Sequence, residues 1–143
     1  MIVADVNVLI YAHRAESAEH AAYARWLTRL VAAEEPFACS EQALFGFVRI
    51  VTNPRAFIDP TPLKKALGFV DELLSHPRCV RLRPGDRHWT IFARLCRDTN
   101  MTGKLVADAY HAALAIEHGC EFVTTDGDFA RFAGLRWRHP LAP

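Results

Sequence analysis

The amino-acid sequence predicts an α/β fold, a three-layer sandwich in which a short central parallel sheet of four or five strands is flanked by helices. Short apolar runs, typical of buried strands, alternate along the chain with longer segments that have helical periodicity. The chain has 143 residues, of which 51% are hydrophobic and 23% are charged, the balance of a folded globular protein. We therefore expect one domain over residues 1–143.

The first half of the chain is predicted to contain two strands and three helices. Residues 2–6 form an apolar run that leads directly into a helix start at Asn7, and Ser17 is placed to cap a second helix. The third helix ends before Asn53-Pro54, because a residue that precedes proline avoids the helical conformation. The predicted strands are 2–6 and 37–40, and the later two helices are 18–33 and 41–51.

The second half begins with Thr61-Pro62, where a capping residue is followed by a proline at the first helical position. This pair predicts a helix that continues to residue 75. The remaining predicted elements are strands at 79–82 and 121–124, a short fifth strand at 135–137, and helices at 86–97 and 104–118.

Composition excludes several classes of protein. The net charge of +1 does not indicate a strongly basic nucleic-acid-binding protein. Arginines are concentrated between residues 78 and 97, where they could contact phosphates or form a solvated helix face. No run of 18 apolar residues predicts a transmembrane helix. The first residues lack the features of a signal peptide, and the four cysteines are scattered, so we expect a cytoplasmic protein with reduced thiols.

Two aspartates lie in apolar surroundings. Asp5 interrupts the run Ile2–Ile10, and a buried carboxylate is costly unless it is paired or binds a cation. Asp108 lies about one turn into an apolar helix. Structural roles are the alternatives: Asp5 could cap the next helix, and the helix dipole favours an acid at Asp108. His111 shares a helix face with Asp108, but a lone helical histidine is more often structural, so no role is assigned to it.

Further acids follow other predicted strands. Asp126 and Asp128 come after strand 121–124, and Glu41 begins the helix after strand 37–40. In a parallel sheet these positions share the edge formed by the carboxyl ends of the strands, where Asp5 should also lie. Carboxylates gathered there repel one another unless they hold protons or a hard cation. Oxygen ligands without histidine or cysteine favour Mg²⁺ or Mn²⁺ over zinc.

Four sequence motifs are informative together: VADVNVLI at 3–10, FVRIVTNP at 47–54, LVADAYHAALAIEHG at 105–119 and VTTDGDF at 123–129. With these motifs the chain resembles PIN-domain proteins, and more narrowly the VapC-type ribonuclease toxins of bacterial VapBC toxin–antitoxin pairs. The resemblance extends over essentially the whole chain.

The resemblance implies a flavodoxin-like PIN sandwich and Mg²⁺-dependent endonucleolytic cleavage of RNA by metal-activated water, with Mn²⁺ as a substitute. It further implies an RNA substrate, a cognate VapB-type antitoxin and a homodimer. Asp5, Asp108 and Asp126 match the metal-binding, catalytic acids of the family. Supporting positions are Asn7, Thr125 beside the last acid, and Asp128, and Arg49 is a candidate RNA contact.

One position departs from the family pattern. The glutamate that usually precedes the apolar-apolar-Arg run is replaced by Gly46. Glu41 lies five residues earlier, and we expect it to substitute as a catalytic acid from the start of the same helix.

Two other functions remain open at this point. A PIN fold weakened by the loss of the acid at Gly46 could serve as an RNA- or protein-binding module. The run Asp5-Val6-Asn7-Val8 also resembles the opening motif of haloacid-dehalogenase-like phosphatases, although Asn7 replaces their second aspartate.

Overall fold

A computed structural model describes all residues, 1–143, and contains the predicted parallel sheet. Its five strands are β1 (Ile2–Ala4), β2 (Phe37–Ser40), β3 (Cys79–Leu82), β4 (Glu121–Val123) and β5 (Trp137–Arg138). Their order across the sheet is β3-β2-β1-β4-β5, and every neighbouring pair is parallel. The predicted fold class is confirmed.

Six α-helices accompany the sheet, together with two 3₁₀ turns at Gly103–Leu105 and Gly127–Arg131. No helix has the length and apolar character needed to cross a membrane. The helices are α1 (Val6–His13), α2 (His20–Ala32), α3 (Glu41–Val51), α4 (Leu63–Ser75), α5 (His88–Thr99) and α6 (Val106–Glu117).

The predicted start of α2 is wrong by two residues. Ser17 does not cap this helix; its carbonyl accepts a hydrogen bond from the His20 amide in a turn. Glu19 precedes the helix with a φ of 57°, a left-handed conformation that interrupts any earlier helical path. The helix therefore begins at His20, without a side-chain cap.

The helices cover the two faces of the sheet as two separate layers. Neighbouring strand residues point to opposite faces: Ala4 and Val123 belong to the core cluster formed with α1–α4, whereas Val3 and Phe122 belong to the cluster formed with α5 and α6. These two cores account for the three-layer arrangement.

The chain reverses its direction of travel across the sheet at β1. It proceeds from β1 to β2 and β3 on one side, then returns to β4 on the other side. The Asp5 amide donates to the Val123 carbonyl at 2.8 Å, which extends the pairing of β1 with β4 by one residue. Ligands of open parallel sheets bind at such a reversal point, outside the carboxyl ends of the strands. Asp5 and the segment after Val123 lie there.

A polar network at the end of α1 predicts a pH-dependent contribution to stability. Arg14 Nη1 donates to Thr61 Oγ1 at 3.1 Å, and this oxygen lies 3.2 Å from His13 Nε2, so the Thr61 hydroxyl can donate to a neutral imidazole. Burial, followed by the charges of Lys65 and Arg14, lowers the pKa of His13 below 6.5.

A histidine with a lowered pKa contributes stability that is present above its unfolded pKa and lost as the pH falls through the folded pKa. We therefore expect the free energy of unfolding of the wild type to fall more steeply below about pH 6.5 than that of His13→Gln. Urea unfolding of both proteins between pH 7.5 and 5 measures the difference. Parallel pH profiles would contradict the prediction.

Candidate metal centre

Asp5 is buried at the junction between β1 and α1, with 7% of its surface exposed. Its Oδ1 accepts a hydrogen bond from the Val6 amide and its Oδ2 accepts one from Thr124 Oγ1, both at 2.7 Å. Asp5 is thus the N-cap of α1, the structural role considered above. Burial nevertheless raises the pKa of Asp5, and these two hydrogen bonds only partly offset the effect.

Asp108 and Asp126 approach the same edge from two other elements. Asp108 lies in the first turn of α6, and Asp126 follows β4, where its Oδ1 accepts from the Asp128 amide at 2.8 Å. Burial is the largest cause that raises the pKa of Asp108, and the charges of Asp126 and Asp5 raise it further. The structure therefore brings the three aspartates close enough for their charges to interact.

This donor set fits a hard divalent cation. Its members are carboxylates, and the pKa values of Asp5 and Asp108 are raised, so a positive ion would relieve the cost of ionising them. No three acidic, histidine or cysteine side chains already lie at coordinating distance from one another. Mg²⁺ usually retains several water ligands and binds through one or two carboxylates, so it does not need a closed cage of three.

Thr124, rather than Thr125, supports the acids through hydrogen bonds. The Thr124 side chain is fully buried, donates to Asp5 and accepts from the Asp126 amide at 3.0 Å. It thereby links the ends of β1 and β4. Proximity in sequence to Asp126 favoured Thr125, but Thr124 follows directly on the buried strand.

A substitution of Thr124 tests this link. Thr124→Val keeps the shape of the side chain but removes the donor to Asp5 and the acceptor for Asp126, so we expect a loss of about 2 kcal/mol in the free energy of unfolding. The half-buried Thr125 makes no such bonds, and Thr125→Val should change stability by less than about 0.5 kcal/mol. Urea denaturation measures both, and equal losses would contradict the assignment.

Glu41 is paired with two arginines in the structure. Its carboxylate forms ion pairs with Arg83 Nε at 2.8 Å and Arg81 Nη2 at 3.5 Å, and the hydrogen bond from Arg83 lowers its pKa. The charges with the largest effects on Asp5 and Asp108 come from other groups. Two arginines of the 78–97 segment thus have an acidic partner within the chain.

The other predicted site residues occupy three different environments. Asn7 is half-buried in the first turn of α1, next to Asp5. Asp128 is exposed, pairs with Arg131 at 3.0 Å, and contributes to the raised pKa of Asp108. Arg49 is exposed in the last turn of α3, about 12 Å along the helix axis from its start at the sheet edge.

Gly46 allows α3 to approach α1 closely beside Asp5. A Cβ atom at position 46 would lie 3.2 Å from Val6 Cγ2, and Val6 is the residue directly after Asp5. A side chain at this position would require the Val6 side chain to move by a few tenths of an ångström. Glycine avoids this close contact.

Sequence and structure comparisons identify the family. A family model described as the PIN domain matches residues 2–135. VapC ribonuclease Mb2897 of Mycobacterium bovis is 48% identical over 141 residues, which cover 99% of this chain and 96% of the relative. Ribonuclease VapC25 of Mycobacterium tuberculosis is 39% identical over 140 residues, which cover 98% of this chain and 99% of that protein.

A solved structure agrees with these relatives. The crystal structure of VapBC2 from Rickettsia felis bound to a DNA fragment from their promoter contains a chain with the same fold, at a TM-score of 0.71 and 18% identity. The match covers 97% of this chain and 98% of that one.

An all-parallel α/β sandwich with aspartates gathered at its reversal point defines the general class. The chain belongs to the PIN-domain family and, within it, to the VapC proteins. The resemblance predicted from the four motifs is confirmed, and this membership does not favour the phosphatase that residues 5–8 also suggested.

Proposed function

We propose that the chain is a divalent-metal-dependent endoribonuclease, the toxin of a type II toxin–antitoxin pair. Its relatives over the full length are named as VapC ribonucleases. The observation that carries the chemistry is that three aspartates, from the residue after β1, from α6 and from the segment after β4, lie at one sheet edge, where the charge of Asp126 raises the pKa of both Asp5 and Asp108.

Asp5, Asp108 and Asp126 would hold the cation. Asp5 is oriented by the Val6 amide and Thr124, and Thr124 also fixes the backbone of Asp126. A divalent cation supplies Lewis acidity and activation of water for phosphodiester hydrolysis when it is bound. An all-oxygen donor set favours Mg²⁺ as the resident ion, with Mn²⁺ as a substitute. We leave Glu41 out of this site because its carboxylate is paired with Arg81 and Arg83.

The partners follow from the same family membership. We propose an RNA substrate, a VapB-type antitoxin and a homodimer, with residues 1–143 acting as one PIN domain. The solved structure with the same fold is that of VapBC2 bound to a DNA fragment. The four free cysteines favour a reducing compartment and therefore a cytoplasmic location.

RNA cleavage by the purified, antitoxin-free protein tests the proposal. Total RNA is incubated with Mg²⁺, with Mn²⁺ and with EDTA, and the fragments are separated by electrophoresis. We expect discrete fragments with either metal and intact RNA in EDTA. The RNA could instead remain intact under all three conditions although the protein has a native circular dichroism spectrum. This result would contradict the nuclease and favour a binding module, in which glycine at position 46 replaces the acid of the family pattern.

A further inference from the structure

His111 lies where the aspartates converge, although its sequence position suggests no role. It follows Asp108 by one turn of α6, and its ring centroid is 6.5 Å from that of Phe122 on β4. Phe122 pairs with Val3, and both point to the face of the sheet covered by α6. Asp5 follows Val3 by two residues in extended backbone, so its side chain points to the same face.

The imidazole of His111 has an unused buried polar atom. Its Nδ1 is buried without a hydrogen-bond partner, whereas buried polar side-chain atoms are normally paired. The His111 and Asp5 side chains are close enough for their charges to interact. Whether neutral or charged, an imidazole ring carries a hydrogen on at least one of its two nitrogens, so His111 has a donor to offer.

Asp5 has capacity for a further hydrogen bond. A carboxylate offers about four lone-pair sites, and the Val6 amide and Thr124 hydroxyl occupy only one on each oxygen. Carboxylates that ligate metals are usually oriented by hydrogen bonds from neighbouring groups, and loss of such a partner weakens metal binding.

We propose that His111 is a positioning residue of the metal centre: when a cation is bound, its ring N–H donates to the Asp5 carboxylate, a bond that the structure itself does not contain, and fixes the orientation in which Asp5 binds the cation. This inference rests on the proposed function, since it requires a cation at Asp5, Asp108 and Asp126. In this arrangement the unpartnered Nδ1 would gain a hydrogen-bond partner. The donor also comes from the helix that carries Asp108, so one turn of α6 would position two of the three acids.

His88 provides a matched control. It is also buried and contacts α6, but its Nε2 already pairs with the Tyr110 carbonyl at 3.0 Å. It faces Tyr110 and Phe92, whose rings lie 4.2 and 6.4 Å from its own, and not the aspartates. Substitution of His88 therefore perturbs a buried histidine on the same layer without removing a donor to Asp5.

Calorimetric titration with Mn²⁺ alone, in the absence of RNA, tests the role of His111. We expect His111→Leu to weaken Mn²⁺ binding by about 10–100-fold relative to wild type. His111→Gln retains an N–H donor and should recover binding to within a few-fold of wild type, while His88→Gln should leave it unchanged. Circular dichroism verifies that each variant is folded.

The outcomes separate this inference from the proposed function. If wild type binds Mn²⁺ and His111→Leu binds it equally well, the positioning role is overturned while the metal centre stands. If His111→Gln and His111→Leu are equally impaired, the hydrogen bond is not the cause, and the role is again overturned. If Mn²⁺ does not bind to wild type at all, the metal centre itself is overturned and the role of His111 with it.

Discussion

Asp108→Asn is expected to lower the rate of metal-dependent RNA cleavage by about 10³-fold, because a metal ion contributes several kcal/mol of charge stabilisation and about 4 kcal/mol corresponds to that factor. The substitution removes the ligand charge but keeps the size of the side chain. Asp5→Asn should have a comparable effect. Initial cleavage rates of a short labelled RNA at saturating Mn²⁺ measure these losses.

Glu41→Gln is the matched control, since it neutralises an acid on the same edge that is paired with Arg81 and Arg83. We expect it to retain cleavage to within about threefold, less than 1 kcal/mol in the barrier. A loss as large as that of Asp108→Asn would place Glu41 among the metal ligands and contradict the site proposed above.

The melting temperature of Asp108→Asn distinguishes loss of the metal site from loss of the fold. Burial and the charges of Asp126 and Asp5 raise the pKa of Asp108, so the folded protein without metal disfavours its ionised form. A neutral asparagine removes this cost, and we expect Asp108→Asn to have a higher Tm than wild type in EDTA. Lower activity together with a lower Tm would point instead to damaged folding.

Phe47→Ala is expected to cause the largest loss of stability in α3, about 3–5 kcal/mol. The Phe47 side chain is fully buried, and its ring lies 4.8 Å from that of Phe69 and 5.2 Å from that of His13. Truncation therefore leaves a cavity between α1, α3 and α4. Urea unfolding followed by circular dichroism measures the change.

Phe45 is the control on the same helix. It is 68% exposed, so Phe45→Ala should cost less than about 0.5 kcal/mol. The two phenylalanines are two positions apart in the sequence and point to opposite faces of α3. Similar losses for both variants would contradict the placement of α3 on the sheet.

The sequence predicted the architecture because local patterns determine it. The apolar runs at residues 2–6 and 121–124 identify central strands, which end in the structure at Ala4 and Val123, and the strand-end rule of parallel sheets places Asp5 and Asp126 on one edge. The start of α2 was predicted wrongly because the left-handed conformation of Glu19 has no clear signal in the sequence.

Features that depend on long-range contacts were beyond sequence reasoning. The pairing of Glu41 with Arg81 and Arg83 depends on the neighbouring position of β3. The hydrogen bond from Thr124 to Asp5 joins residues 119 positions apart. The position of His111 relative to Asp5 depends on how α6 packs on the face of the sheet to which Asp5 points, which the sequence does not show.

Anomalous diffraction from crystals soaked in Mn²⁺ tests the central claim most directly, that three aspartates at the reversal point of the sheet hold a divalent cation. The account predicts an anomalous peak bounded by the carboxylates of Asp5, Asp108 and Asp126, with Glu41 still paired with Arg83. A fully soaked crystal with no peak there, or with its peak at Glu41, would contradict the claim.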